Sequence, residues 1–221
     1  MIVGEKEIMM TENIEVFINN SIRIRDRIGT IYIDPYEMRE EPHDADFILV
    51  THDHYDHFSP EDILKVAGDG TVLIVPEKME GKISGISGKM RKVLTVKPGM
   101  FYETDGLEFD TVAAYNTIKP FHMKSAGWVG YILHLDRKLI YIAGDTDITK
   151  EAKAVRCDVA LVPIGGTYTM NARQAAELVN EIQPEVAIPV HYGSVVGGKA
   201  DEETFVQNVK DPVKVEIKLS I

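Results

Sequence analysis

The chain has 221 residues, 44% of them hydrophobic and 27% charged, and carries a formal net charge of −11. That length suits one domain with a sizeable core, spanning 1–221, and the composition excludes an extensively disordered chain. The acidity disfavours nucleic acid and anionic membranes as partners, because it is repelled by phosphate-rich surfaces.

The N-terminal stretch through Val16 has no basic start followed by a long apolar run, so it does not read as a secretory signal. Further on, runs rich in Val, Ile and Tyr and bounded by Gly, Asp or Pro predict strands over 14–18, 30–33, 47–51, 71–76, 93–96 and 111–115. The same pattern continues over 128–135, 139–143, 159–164, 186–189 and 213–219. Helices are predicted over 59–67, 77–83, 171–182 and 201–209. Ser59-Pro60-Glu61-Asp62 carries a capping hydroxyl, a proline at the first helical position and acids at the positive end of the helix. Asn171 can cap the third helix while Gln174 reciprocates. The single cysteine, Cys157, permits no internal disulfide, and no stretch of about 18 apolar residues is present to cross a membrane. A cytoplasmic location is the expectation. Many strands with few helices imply stacked sheets with helices on their outer faces.

The chemistry concentrates after strand-like runs. In Thr51-His52-Asp53-His54-Tyr55-Asp56-His57, five of the six residues from His52 onward are imidazoles or carboxylates. Residues two apart in extended chain share a side, so His52 and His54 can grip one ion together. As the chain turns toward the helix at Ser59, Asp56 and His57 swing to a second position. Imidazole and carboxylate without thiolate suit zinc, with manganese, iron or nickel as alternatives. Three of the seven histidines fall within these six residues, which is hard to ascribe to a solvated turn. Two weaker signals follow strands: Gly144-Asp145, and Pro189-Val190-His191-Tyr192-Gly193. Alone, the first reads as an ordinary turn, and the second as either a core histidine or a ligand placed at a strand end.

Together these segments resemble the metallo-β-lactamase superfamily, whose signature is His-x-His-x-Asp-His followed by a lone histidine, a metal-bridging aspartate and a final histidine. The resemblance spans about residues 30 to 193. It implies an α+β fold, an αββα sandwich of two mixed sheets. It also implies two divalent metal ions, with His52, His54 and His122 on the first, Asp56, His57 and His191 on the second, and Asp145 bridging. Asp34, in Ile33-Asp34-Pro35, would orient the metal loop from behind. The family's middle histidine often follows a strand directly. Asn116 holds that place, and His122, six residues on, stands at the right spacing from Gly127-Trp128-Val129-Gly130 and is the expected ligand. His43 and His134 lie outside any motif.

Ala114-Tyr115-Asn116, Phe121-His122-Met123-Lys124, Pro163-Ile164-Gly165-Gly166 and His191-Tyr192-Gly193 are similar to the ascorbate-phosphate lactonase-like branch. That branch begins with a Gly-His-Ser/Ala turn, where this chain has Ile18-Asn19-Asn20-Ser21. The activity implied is hydrolysis of a small metabolite, such as a lactone or phosphodiester, by a hydroxide shared between two ions, with Asp56 able to orient it. The alternatives are a non-catalytic metal-binding or ligand-sensing module and an iron redox protein. Lys119, Lys124 and Lys199 would form a local positive focus favouring an anionic substrate, with Asn116 and Tyr192 as further candidate substrate contacts.

Overall fold

A computed structural model describes residues 11–219. Residues 1–10, on which the reading of the chain's start partly rests, lie outside them. Two sheets form. The first holds β1 (Ile14–Val16), β2 (Ile22–Asp26), β3 (Gly29–Ile33), β4 (Ala45–Leu49), β5 (Ala67–Pro76) and β6 (Lys92–Val96) in sequence order. Its first three strands pair antiparallel, and β3 through β6 are parallel. The second holds β7 (Phe101–Thr104), β8 (Leu107–Ala113), β9 (Val129–Leu135), β10 (Lys138–Ile142), β11 (Val159–Pro163), β12 (Val186–Val190) and β13 (Lys214–Val215). Here β7 through β10 are antiparallel, and β10 through β13 parallel.

Side-chain alternation shows why these strands stack into layers. Ile31, Ile33, Phe47, Leu49, Val72 and Ile74 enter the main core between the sheets. Their neighbours Tyr32, Ile48, Val50, Leu73 and Val75 point the opposite way, onto Ile63 and Val66 of α1 (Pro60–Val66). Both faces of this sheet are therefore covered, as parallel strands require. In the second sheet, β11 and β12 are buried along their whole length. They share the main core with Ala175, Leu178 and Val179 of α3 (Ala172–Ile182) and Phe205 of α4 (Lys199–Asn208). The result is the sandwich of the metallo-β-lactamase fold, with helices outside two mixed sheets.

Ser59 caps α1 through the Asp62 amide, and the Asn171/Gln174 capping box is complete on α3. Four local expectations change. β2 and β7 are additional strands; in β2, Ile22 and Ile24 are buried while the intervening Arg23 is held by Glu15 at 2.6 Å. The helix expected over 77–83 is only a 3-10 turn, Glu77–Met79, running into glycine-punctuated chain. A short helix capped by Thr149, α2 (Lys150–Lys153), is added. The last strand shrinks to β13 because only Lys214 and Val215 pair with β12.

Candidate metal centre

Strand ends place the candidate ligands. Asp34 follows β3, His52 follows β4 by three residues, Asp145 follows β10 by three, and His191 directly follows β12. These are the carboxyl ends of parallel strands, so all four emerge on the same edge of the sandwich. After His54 the chain turns tightly, with the His57 and Phe58 amides both donating to the His54 carbonyl at 3.0 and 2.8 Å. That turn separates His52 and His54 from Asp56 and His57. Gly144 makes the approach of Asp145 possible: its φ is +62°, and a Cβ there would lie 3.2 Å from the Thr51 side chain and from the Val129 carbonyl. Asp34 and His191 also hold left-handed backbone, at φ 46° and 57°, a conformation that non-glycine residues keep only when their surroundings enforce it.

The side chains gather into two groups, His52 with His54, His122 and Asp145, and Asp56 with His57 and His191. Within each group the potential ligand atoms lie no more than 4.8 Å apart. Asp145 faces both. Its Oδ2 is 3.2 Å from His122 Nε2 and 3.9 Å from His52 Nε2. Its Oδ1 is 3.2 Å from both His57 Nε2 and His191 Nε2. Asp56 Oδ2 lies 3.5 and 3.4 Å from the same two imidazoles. His122 is thus at the centre and Asn116 is behind it.

A shell of hydrogen bonds turns the Nε2 atoms inward. Asp34 Oδ2 accepts from His57 Nδ1 at 2.8 Å and from the Thr51 hydroxyl at 2.6 Å, while its Oδ1 accepts from the Thr51 amide at 2.8 Å. With its proton committed to Asp34, the Thr51 oxygen accepts from His52 Nδ1 at 2.9 Å. Asn116 Oδ1 accepts from His122 Nδ1 at 3.0 Å and from the His122 amide at 3.1 Å. The Asn116 amide is fixed in turn, because its Nδ2 donates to Asp147 at 3.1 Å and to the Tyr168 carbonyl at 2.8 Å. In its neutral form each imidazole so held carries its proton on Nδ1 and offers the Nε2 lone pair to a cation.

Residues not foreseen from the sequence complete this shell. Asn19 Nδ2 donates to Asp56 at 2.9 Å, and Asn20 Nδ2 to Asp34 at 2.8 Å. The Asn19 carbonyl also accepts from the His191 amide at 2.9 Å. The Asn19-Asn20 pair, which departs from the branch pattern, therefore supports two of the carboxylates. Trp128 packs its ring 5.0, 4.9 and 5.4 Å from those of His52, His54 and His122. Thr51 was signalled only by standing directly before the His-x-His signature.

The five expected substrate contacts have partners within the chain. Asn116 is buried and faces His122 rather than open solvent. The buried Tyr192 hydroxyl donates to Glu202 at 2.8 Å. Each of the three lysines has a carboxylate partner. Lys119 pairs with Asp147 at 2.8 Å, Lys124 with Glu151 at 2.6 Å, and Lys199 with Glu202. The charge expected to form a positive focus is thus shared, lysine by lysine, with a carboxylate. Of the two histidines outside the motifs, His134 pairs with Asp110 at 2.8 Å and His43 meets the Ala67 carbonyl at 2.9 Å.

The electrostatics match a cation site. Burial pushes His52 and His54 down, His52 strongly, and neighbouring imidazoles add to the effect, keeping both neutral as ligands must be. Burial also opposes charge on Asp145, but His191, His57 and His122 outweigh it and hold the carboxyl well below its usual range. The reverse holds for His57 and His191. Burial would depress them, yet Asp145, with Asp34 for His57 and Asp56 for His191, lifts His57 well above the ordinary imidazole value and His191 to about 9. These carboxylates call for positive charge that protons supply only in part. Buried His122 Nε2 and Asp145 Oδ1 have no hydrogen-bond partner and point into the cluster, so the donor set fits two divalent cations.

A model of the Beta-lactamase superfamily domain matches residues 13–191. A UPF0173 metal-dependent hydrolase of Pyrococcus abyssi is 35% identical over 80% of this chain and 80% of its own length. Another from Thermoplasma acidophilum is 32% identical over 79% and 81%. Among solved structures, one assigned as a metal-dependent hydrolase from Parabacteroides distasonis superposes with a TM-score of 0.78 at 29% identity, covering 94% of this chain and 93% of that one. Igni18, a metallo hydrolase from Ignicoccus hospitalis, shares the fold with a TM-score of 0.75 at 23% identity, over 92% and 93%. With two donor clusters joined by one aspartate, this chain belongs to the metallo-β-lactamase superfamily and is a metal-dependent hydrolase of its UPF0173 family.

Proposed function

We propose that the chain hydrolyses a small ester-type metabolite, a lactone foremost, at a dinuclear metal centre. The observation that carries this reading is Asp145, whose two oxygens face the two donor clusters separately. His52, His54 and His122 would hold one ion, Asp56, His57 and His191 the other, with Asp145 common to both. Zinc suits the imidazole and carboxylate donors best; manganese, iron and nickel are alternatives. When bound, two such ions polarise a carbonyl or phosphoryl oxygen and lower the pKa of water toward neutrality.

The chain's own residues prepare that chemistry. Thr51, Asp34 and Asn116 fix the imidazole tautomers. Asn19 holds Asp56 Oδ2 beside His57 and His191, where Asp56 can accept a proton from an attacking water and return it to a leaving group. Similarity of the motifs to the ascorbate-phosphate lactonase-like branch supports a lactone. The pairing of Lys119, Lys124 and Lys199 with carboxylates weighs against the anionic esters and phosphodiesters that the branch also suggests. The partner is a small molecule rather than nucleic acid or membrane. In keeping with a cytoplasmic enzyme, no helix among the described residues is long and apolar enough to cross a bilayer.

The test joins metal analysis to a hydrolysis panel of lactones, phosphodiesters and thioesters. About two ions per chain and turnover of at least one ester class are expected, with Asp145→Ala losing both ions and all turnover. Full loading of Asp145→Ala would remove the bridge from the reading.

A further inference from the structure

Large apolar side chains left in water are informative when they cluster around a polar centre. Among the described residues nine are exposed, and four of the nine, Tyr55, Ile118, Phe121 and Met123, sit on the two loops that carry His54, Asp56 and His122. Tyr55 is 66% exposed although both its chain neighbours are candidate ligands, and Ile118 is 94% exposed. Phe121, directly before His122, stands edge-on to half-buried Tyr168 at 4.8 Å between ring centres. Tyr168 is tied to the same place, its carbonyl accepting from the Asn116 amide that orients His122. Half-buried Trp128 continues this apolar surface inward onto the first-cluster imidazoles. None of these side chains is needed for the sandwich core.

Charge around the loops is as informative as shape. Besides the three lysines already paired, Lys78 donates to the Ser125 carbonyl and Lys82 to Asp53. Every lysine on or beside these loops is engaged by an oxygen of the protein itself. A substrate carboxylate or phosphate would meet ammonium groups that already share their charge with a protein oxygen, whereas an apolar group would cover exposed ring and methyl surface.

Building on the dinuclear hydrolase reading, we propose that Tyr55, Phe121 and Tyr168, with Ile118 and Met123 beside them, form the substrate-binding rim, and that they select an uncharged ester or lactone bearing an aryl or bulky alkyl group next to the scissile bond. The rim binds the group that does not react, and so fixes which carbonyl reaches the metals.

The experiment uses binding rather than turnover. Metal-replete protein is titrated calorimetrically with acetohydroxamate, benzohydroxamate and 4-carboxybenzohydroxamate, which share the metal-chelating head. Benzohydroxamate should bind at least about tenfold more tightly than acetohydroxamate, the preference expected from burying one ring. The added carboxylate should weaken binding relative to benzohydroxamate. Phe121→Ala and Tyr168→Ala should each shrink the benzo-to-aceto ratio several-fold, whereas Met100→Ser, an exposed apolar site away from these loops, should leave it intact. A ratio near one, a ratio unaffected by either aromatic substitution, or a preference for the carboxylated compound overturns the proposal while leaving the metal centre standing. A chain that takes up no metal overturns the function reading and this one with it.

Discussion

Asn116 stands behind a candidate ligand of the metal centre. Its oxygen holds the proton on His122 Nδ1, and its amide is pinned by Asp147 and Tyr168. Asn116→Ala should therefore weaken the first ion by roughly 10- to 100-fold, the usual cost of losing a partner behind a ligand, without abolishing it as His122→Ala would. Competition with a chromophoric chelator measures both, and equal affinity in Asn116→Ala and the parent would show that His122 needs no such support. The main candidate ligands were legible because their identity and spacing carry chemistry. His52, His54, Asp56 and His57 announce themselves in six residues, while Asp145 and His191 gain meaning only beside them. The supporting residues were not legible. Asparagine and threonine in turns are ordinary, and nothing local tells that Asn19 reaches Asp56 across 37 positions. The partners of the three lysines were equally silent in the sequence: Asp147 and Glu151 are brought to Lys119 and Lys124 by the fold, and the buried Glu202 stands three residues from Lys199 with nothing local to mark the pairing.

At the level of elements, the turn after β10 constrains the site closely. Gly144 combines left-handed backbone with close approach to Thr51, whose hydroxyl links Asp34 to His52. Gly144→Ala should cost at least about 1–2 kcal/mol from backbone conformation alone, and more from pressing on Thr51. Gly99 is the control: its φ is +78° but nothing lies within 4 Å of a Cβ built there, so Gly99→Ala should show the backbone cost only. Thermal melts compare the two, and metal affinity should fall only in Gly144→Ala. Elements with strong chemical punctuation were readable from sequence, as the caps Ser59 and Asn171 show. β2 was overlooked although Ile22-Arg23-Ile24-Arg25 alternates cleanly, because charged residues hide a strand whose polar face is anchored by Glu15. The expected helix over 77–83 failed because Gly81 breaks its second turn and Gly85 lies just beyond, so only the 3-10 turn Glu77–Met79 forms.

For the whole molecule, the centre couples protons, metal and stability. His191, raised to about 9, and His57, raised well above the ordinary 6.5, stabilise the metal-free fold in their protonated forms. That contribution is complete below the ordinary imidazole value and is lost as pH rises through about 9. Asp145 and Asp56, held low, contribute above the ordinary carboxylate value and lose it only in acid, outside this interval. Metal-free protein should therefore melt at progressively lower temperature from pH 7 to 9.5, while metal affinity rises over the same interval as fewer protons must be displaced. A flat melting profile in chelator would contradict this balance. The strand order has a further consequence. Each sheet runs from antiparallel to parallel pairing, and the chain passes from one sheet to the other once, near Gly99. A cut between Pro98 and Gly99 would leave one sheet on each fragment, with His52, His54, Asp56 and His57 on the first and His122, Asp145 and His191 on the second. Neither fragment could complete a cluster, since both clusters draw on both halves. The two pieces should reassemble on mixing, and divalent metal should tighten their association, acting as a rivet through two half-proteins; reassembly indifferent to metal on gel filtration would show that apolar contact between the sheets alone joins them.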